Sequence, residues 1–141
     1  MYLMNFLMYL GVTIPLMIIS MALFSLTTPY KEFKILADGD DLDNLRKVSA
    51  AKAVAFDLGG KVLGTAILLA SAIYHSVDIW DMIVWTMTGT LSLIIVYWLF
   101  ELLTPTIKVR QEIPNGNTAV GFFSFCLSVA TGILMASLIS Y

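Results

Sequence analysis

Four stretches of this 141-residue chain are apolar over a length that matches a lipid bilayer: Leu3 to Leu26, Ala53 to Tyr74, Ile79 to Leu103 and Thr118 to Ile139. A helix needs about 20 apolar residues to cross a hydrocarbon core about 30 Å thick, and each stretch supplies them. Lipid offers no partner to a free backbone amide, at a cost of several kcal/mol, and so few segments without two-residue alternation close no barrel. The expected fold class is therefore an all-α membrane protein with four transmembrane helices. Composition agrees, with 59% hydrophobic and 13% charged residues and a mean hydropathy of +0.87, too few charges to face water on all sides. Pro15 removes one backbone hydrogen bond from the first span and is expected to kink it rather than break it. Residues 1–30 carry no charge and lack the basic start of a signal peptide, so this stretch is expected to be a retained span.

Sidedness follows from lysine and arginine in the connectors. Residues 30–52 hold Lys31, Lys34, Arg46, Lys47 and Lys52, residues 104–117 hold Lys108 and Arg110, and the His75 to Asp81 link holds Asp78 and Asp81 with no Lys or Arg. Basic residues are retained on the cytoplasmic side, so the first and third connectors are expected there and both termini on the opposite side, which in a bacterium is the periplasm. Aromatic residues follow the same division, with Tyr2, Tyr74, Trp80 and Tyr141 near one interface and Tyr30, Tyr97 and Trp98 near the other. A net charge of −2 leaves no broad basic face for nucleic acid. The single cysteine, Cys126, has no partner for a disulfide or a metal cluster.

The chain also matches itself. Residues 18–29, IISMALFSLTTP, align with 94–105, IIVYWLFELLTP, and residues 53–73 align with 119–139, at offsets of 76 and 66 residues. The difference falls in the first cytoplasmic connector, within Ala37 to Lys47. Two tandem helical hairpins are expected, residues 1–74 with a long connector over 27–52, and residues 75–141. Each holds an even number of spans, so the two run parallel about an axis along the membrane normal.

Glu112-Ile113, Gly116-Asn117 and Ala119-Val120 before and into the last span, the Leu-x-Thr-Pro ends of the first and third spans, and Gly59-Gly60-x-x-x-Gly64 together carry a resemblance from about Phe24 onward. They resemble the YjfL-like bacterial inner-membrane proteins, the family called domain of unknown function 350. The resemblance implies four spans in two repeats and a bacterial inner membrane, and brings no established activity. Family neighbours similar to phage-shock proteins and ATP-grasp ligases imply an envelope-stress setting. This chain departs from the pattern in its first half, where Ala51 stands at the position of Asn117 and the connector is longer.

Among polar residues, Asp57 and Lys61 stand out because they lie one helical turn apart inside the second span, with the acid first, the favoured order for an ion pair. Ionisable groups in a span cost about 2.5 to 3.5 kcal/mol each at the centre, which marks them as a candidate site. A rise of 1.5 Å per residue puts Lys61 about 10 Å from the cytoplasmic interface, within reach of snorkelling, so a paired structural role is the alternative. Glu101, near the cytoplasmic end of the third span, is the third candidate, expected to meet Lys61 or Lys108.

Gly60 and Gly64, with Ser124, Ser128, Gly132 and Ala136, form small-residue ridges that serve helix packing within the bundle or self-association. Gly116 and Asn117 either turn and cap the fourth span or line a polar cytoplasmic mouth. Thr86, Thr88, Gly89, Thr90 and Ser92 can line a modestly polar passage or bond to their own helix. The acidic run from Asp38 to Asp43 lacks calcium-loop spacing and reads as a solvated turn and N-cap before Leu42 to Ala51, a segment that extends the second helix or lies on the membrane surface. His75 is the only histidine, and no catalytic set, metal site or cofactor site is expected. The leading functional expectation is an oligomeric, non-enzymatic membrane component or scaffold that recruits a cytoplasmic partner through residues 30–52 in envelope maintenance. The alternative is a subunit of an oligomeric channel or ion-coupled transporter, because four helices alone pack solid.

Overall fold

In a computed structural model that describes residues 1–140, the apolar stretches are four long helices. Tyr141, assigned above to an interface, lies outside the described residues. Helix α1 spans Tyr2–Thr27, α3 Leu45–His75, α4 Ile79–Leu103 and α6 Thr118–Ile139, while the short α2 (Glu32–Ala37) and α5 (Val109–Glu112) lie in the first and third connectors. All four long helices have the length and apolarity to cross a membrane, and no strand occurs among the described residues. Helix α1 continues through Pro15.

Helix α3 is the spine of the bundle and packs against α1, α2, α4 and α6. Its contact with α6 is a meeting of backbones. A Cβ built on Gly64 would come 2.5 Å from the Ser128 carbonyl oxygen, and one on Gly132 would come 2.5 Å from the carbonyl oxygen of Gly64. Gly60 and Gly121 lie equally close to the backbones of Phe125 and Ala53. Lipid is as apolar as leucine, so helices gain by dispersion and close approach rather than by escaping water, and only glycine permits this separation. The ridges of Gly60, Gly64, Ser124, Ser128 and Gly132 thus face one another inside one chain, all buried. Ala136 continues the ridge half-buried, its carbonyl accepting the Ser71 hydroxyl at 2.6 Å.

Helices α1 and α4 close the bundle. The Thr90 and Ser20 hydroxyls share a hydrogen bond at 3.0 Å, and the Phe24 and Tyr97 rings meet edge to face at 5.6 Å. Leu16, Leu69, Ala72 and Met82 fill the core towards the α3–α4 turn. Thr90 donates to the Thr86 carbonyl at 2.8 Å and Ser92 to that of Thr88, whereas the Thr86 hydroxyl is buried without a hydrogen-bond partner.

The helix ends show where the sequence expectations shift. Helix α3 starts at Leu45, well before the expected span at Ala53, because its first two turns project beyond the apolar stretch. Its cap is Asn44, whose side chain accepts from the Lys47 amide, rather than an aspartate before Leu42. The acidic run forms a short 3-10 turn over Asp38–Asp40 and an exposed ion pair of Asp41 with Lys47 at 3.0 Å. Asp78 caps α4 by accepting from the Asp81 amide at 2.8 Å, and the Asp81 carboxylate in turn accepts from the Val77 amide at 3.1 Å.

Gly116 takes φ +91°, a left-handed conformation that side chains disfavour, and packs against Ser49 and Ala50 at the start of α3. Asn117 caps α6 by accepting from the Val120 amide at 3.3 Å, and donates to Glu112 at 2.8 Å. Asn117→Ala is expected to lower stability by about 1 kcal/mol, and Asn117→Asp, which keeps the acceptor, by less. Thermal unfolding in detergent micelles checks the pair.

Candidate functional site

At the connector end of the bundle a lysine is enclosed by acids, hydroxyls and aromatic rings. Asp57 and Lys61 share the face of α3 turned toward α6 and the end of α1, and both are fully buried. The Lys61 ammonium pairs with Asp57 Oδ2 at 2.7 Å. It also pairs with Glu32 of α2 and donates to Thr28 Oγ1 at 2.9 Å. All three ammonium donors are therefore used. Around it lie the faces of Tyr97 at 4.7 Å, Phe24 at 5.0 Å and Tyr30 at 5.8 Å, distances at which ring quadrupoles attract a desolvated cation.

Asp57 is held from both sides. The Tyr30 hydroxyl donates to Oδ2 and the Ser124 hydroxyl of α6 to Oδ1. Burial, and then the neighbouring Asp57 carboxylate, push the Tyr30 phenol well above the ordinary tyrosine range, so it remains a donor. The Thr28 hydroxyl, while accepting from Lys61, donates to the Phe24 carbonyl at 3.1 Å. The cluster therefore ties the last turn of α1 and the whole entry to α2 into the bundle. Its balance is two carboxylates to one ammonium, and Glu32 Oε2 is buried without a hydrogen-bond partner, as is the Tyr97 hydroxyl.

The sequence singled out Asp57 and Lys61, and the structure brings them together as an i, i+4 pair. Glu101 does not join them. Its Oε1 meets Arg110 Nε at 3.5 Å, rather than Lys61 or Lys108, because the Lys61 donors are already taken by Glu32, Asp57 and Thr28 and the third connector returns Arg110 to the end of α4. Glu32, Tyr30 and Thr28 were not read as site residues, and Ser124 was read only as a small packing residue. One available signal was the Thr28-Pro29 stop of α1, which sets the chain turning back just where an antiparallel partner carries Asp57 and Lys61. Gly116 and Asn117 lie apart as a helix entry.

The third connector shows two backbone features like those of the first. Thr104 returns its hydroxyl to the Phe100 carbonyl at 2.7 Å, as Thr28 does to Phe24. Lys31 and Lys108 precede α2 and α5 with nearly equal dihedrals, φ −84°, ψ 85° and φ −84°, ψ 91°. Where Glu32 turns inward in the first connector, Val109 does so in the third, and it is 2% exposed.

Comparison with known proteins places this architecture. No solved structure matches the chain. The transmembrane protein YshE of Bacillus subtilis, of the group UPF0719, is 36% identical over 129 residues, covering 92% of this chain and 88% of that protein. The UPF0719 inner membrane protein YjfL of Escherichia coli K12 is 28% identical over 136 residues, covering 94% and 91%. A family model described as Domain of Unknown Function (DUF350) matches residues 1–139, so this four-helix membrane protein belongs to that family.

Proposed function

We propose that the protein is a non-enzymatic, homo-oligomeric component of a bacterial inner membrane, and that it recruits a cytoplasmic protein through residues 30–52. The carrying observation is the placement of the ion cluster, which draws two of its members, Tyr30 and Glu32, from the connector itself. A connector clamped in this way keeps a defined shape and shows apolar side chains on its outside: Phe33 is 64% exposed and Leu42 77%. Exposed apolar residues rimmed by charges mark contact surfaces. Oligomerisation uses α1, whose apolar surface is largely uncovered, since the glycine ridges are occupied within the chain. The cytoplasmic assignment of this end rests on its seven Lys and Arg residues, and that of the membrane also on the name of the Escherichia coli relative. The envelope-maintenance setting rests on the family resemblance. The two hairpins, 1–74 and 75–141, are read as copies of one unit of which only the first carries the ion cluster, a reading supported by the paired threonine bonds and connector dihedrals.

A photo-crosslinking residue placed at Phe33 in intact cells is expected to capture a soluble protein, while one at Val77 in the opposite turn does not. Lipid adducts alone at position 33 contradict the proposal. A second reading, ion coupling, is favoured by the unequal charge of the cluster and the unpartnered Glu32 Oε2. Proteoliposomes under an applied voltage are expected to stay silent. A cation flux that disappears in Asp57→Asn establishes the second reading instead.

A further inference from the structure

Two adjoining clefts lie on the exposed side of α4, away from the ion cluster. The first, about 260 Å³, sits at the connector end, where Trp98, Glu101 and Leu102 face Lys108 and Arg110. The second, about 380 Å³, runs along α4 over Ile94, Ile95, Trp98, Leu99 and Leu102. They share Trp98 and Leu102, so a polar head and an apolar channel are continuous. From Ile94 to Leu102 the helix rises about 12 Å, most of the half-thickness of a hydrocarbon core.

The polar cleft carries an excess of positive charge. Arg110 Nε lies 3.5 Å from Glu101 Oε1, and the Arg110 side chain is 52% exposed. Lys108 is exposed and has no ion pair among the described residues. Trp98 stands between the polar and apolar parts, the level at which indole rings settle in a membrane. Basic pockets beside membrane helices attract anionic headgroups.

We propose that this double cleft binds one anionic phospholipid from the leaflet at the connector end. Its phosphate lies between the Lys108 ammonium and the Arg110 guanidinium, and one acyl chain lies along Ile95, Leu99 and Leu102. Glu101 is the positioning residue that orients the guanidinium. The helix of a second copy would cover the apolar channel and leave Lys108 without an anion, so charge favours the lipid.

The test uses the full chain carrying Trp80→Phe and Trp85→Phe, which leaves Trp98 as the reporter, in vesicles of brominated phosphatidylglycerol or brominated phosphatidylcholine. Phosphatidylglycerol is expected to quench Trp98 at lower mole fraction, by about fivefold per engaged cation. Lys108→Gln, which leaves the Glu101–Arg110 pair intact, is expected to lose about one such factor, and Lys108→Gln with Arg110→Gln nearly all of the preference. Inorganic phosphate at millimolar concentration is expected not to displace the lipid. Equal quenching by both lipids means ordinary boundary lipid and overturns the proposal. Displacement by free phosphate, or no quenching by either lipid together with crosslinked dimers through α4, overturns it as well.

Discussion

Lys61→Met is expected to destabilise the folded protein by about 3 to 5 kcal/mol. The substitution leaves Asp57 and Glu32 facing each other in a site from which both are fully excluded from solvent, with only the Tyr30, Ser124 and Thr28 hydroxyls nearby. Stranding a buried charge costs far more than the intact pair contributes, because desolvation was already offset by the partner now missing. The combined Glu32→Gln, Asp57→Asn, Lys61→Met variant is therefore expected to recover most of the loss. Reversible unfolding in mixed detergent micelles measures both. A Lys61→Met loss below about 1 kcal/mol means that the acids have water or another cation beside them and that the cluster is not the closed unit described.

Gly64→Leu and Gly132→Leu are expected to prevent α3 and α6 from docking. Even a single methyl at either position meets backbone oxygen at 2.5 Å, and backbone cannot rotate aside as a side chain can. Overpacking of this kind costs about 1 to 3 kcal/mol or more where nothing can relax, so Gly64→Ala alone already carries a measurable penalty. Gly59 is the internal control. A Cβ there meets nothing within 4 Å, and Gly59→Ala is expected to be neutral or to stabilise by up to about 1 kcal/mol through helix propensity. Unfolding midpoints of the three alanine and leucine variants, set against Gly59→Ala, separate close approach from any general cost of replacing glycine. Because the lost contact joins α3 to α6, the same variants also loosen Asp57, whose Oδ1 accepts from Ser124 on α6.

The four spans were legible because lipid imposes one requirement, satisfied backbone over a fixed thickness, that composition alone reveals. Asp57 and Lys61 were legible for a related reason: charges inside an apolar run have no solvated explanation. Glu32 was not, since it sits among Lys31, Lys34 and Asp38 in a connector that reads as water-facing, and only the fold-back of α2 buries it. Ser124 occupies a small-residue ridge where a hydroxyl and a methyl pack alike, so its bond to Asp57 depends on the register of α6 against α3. The position of Glu101 turned on which of several nearby cations the third connector delivers, a matter of chain direction after Pro105 that spacing does not determine.

Glu32 and Asp57 are sealed around Lys61 although Glu32 belongs to a charged connector. Carboxyl modification by a water-soluble carbodiimide and an amine, with residue-level mass spectrometry on the folded protein in detergent, tests it without altering any residue. Asp38, Asp40 and Asp43, all exposed, are expected to react readily, whereas Glu32 and Asp57 stay unmodified until the protein is unfolded. Modification of Glu32 in the folded protein at the rate of Asp40 would mean that the cluster is open to water.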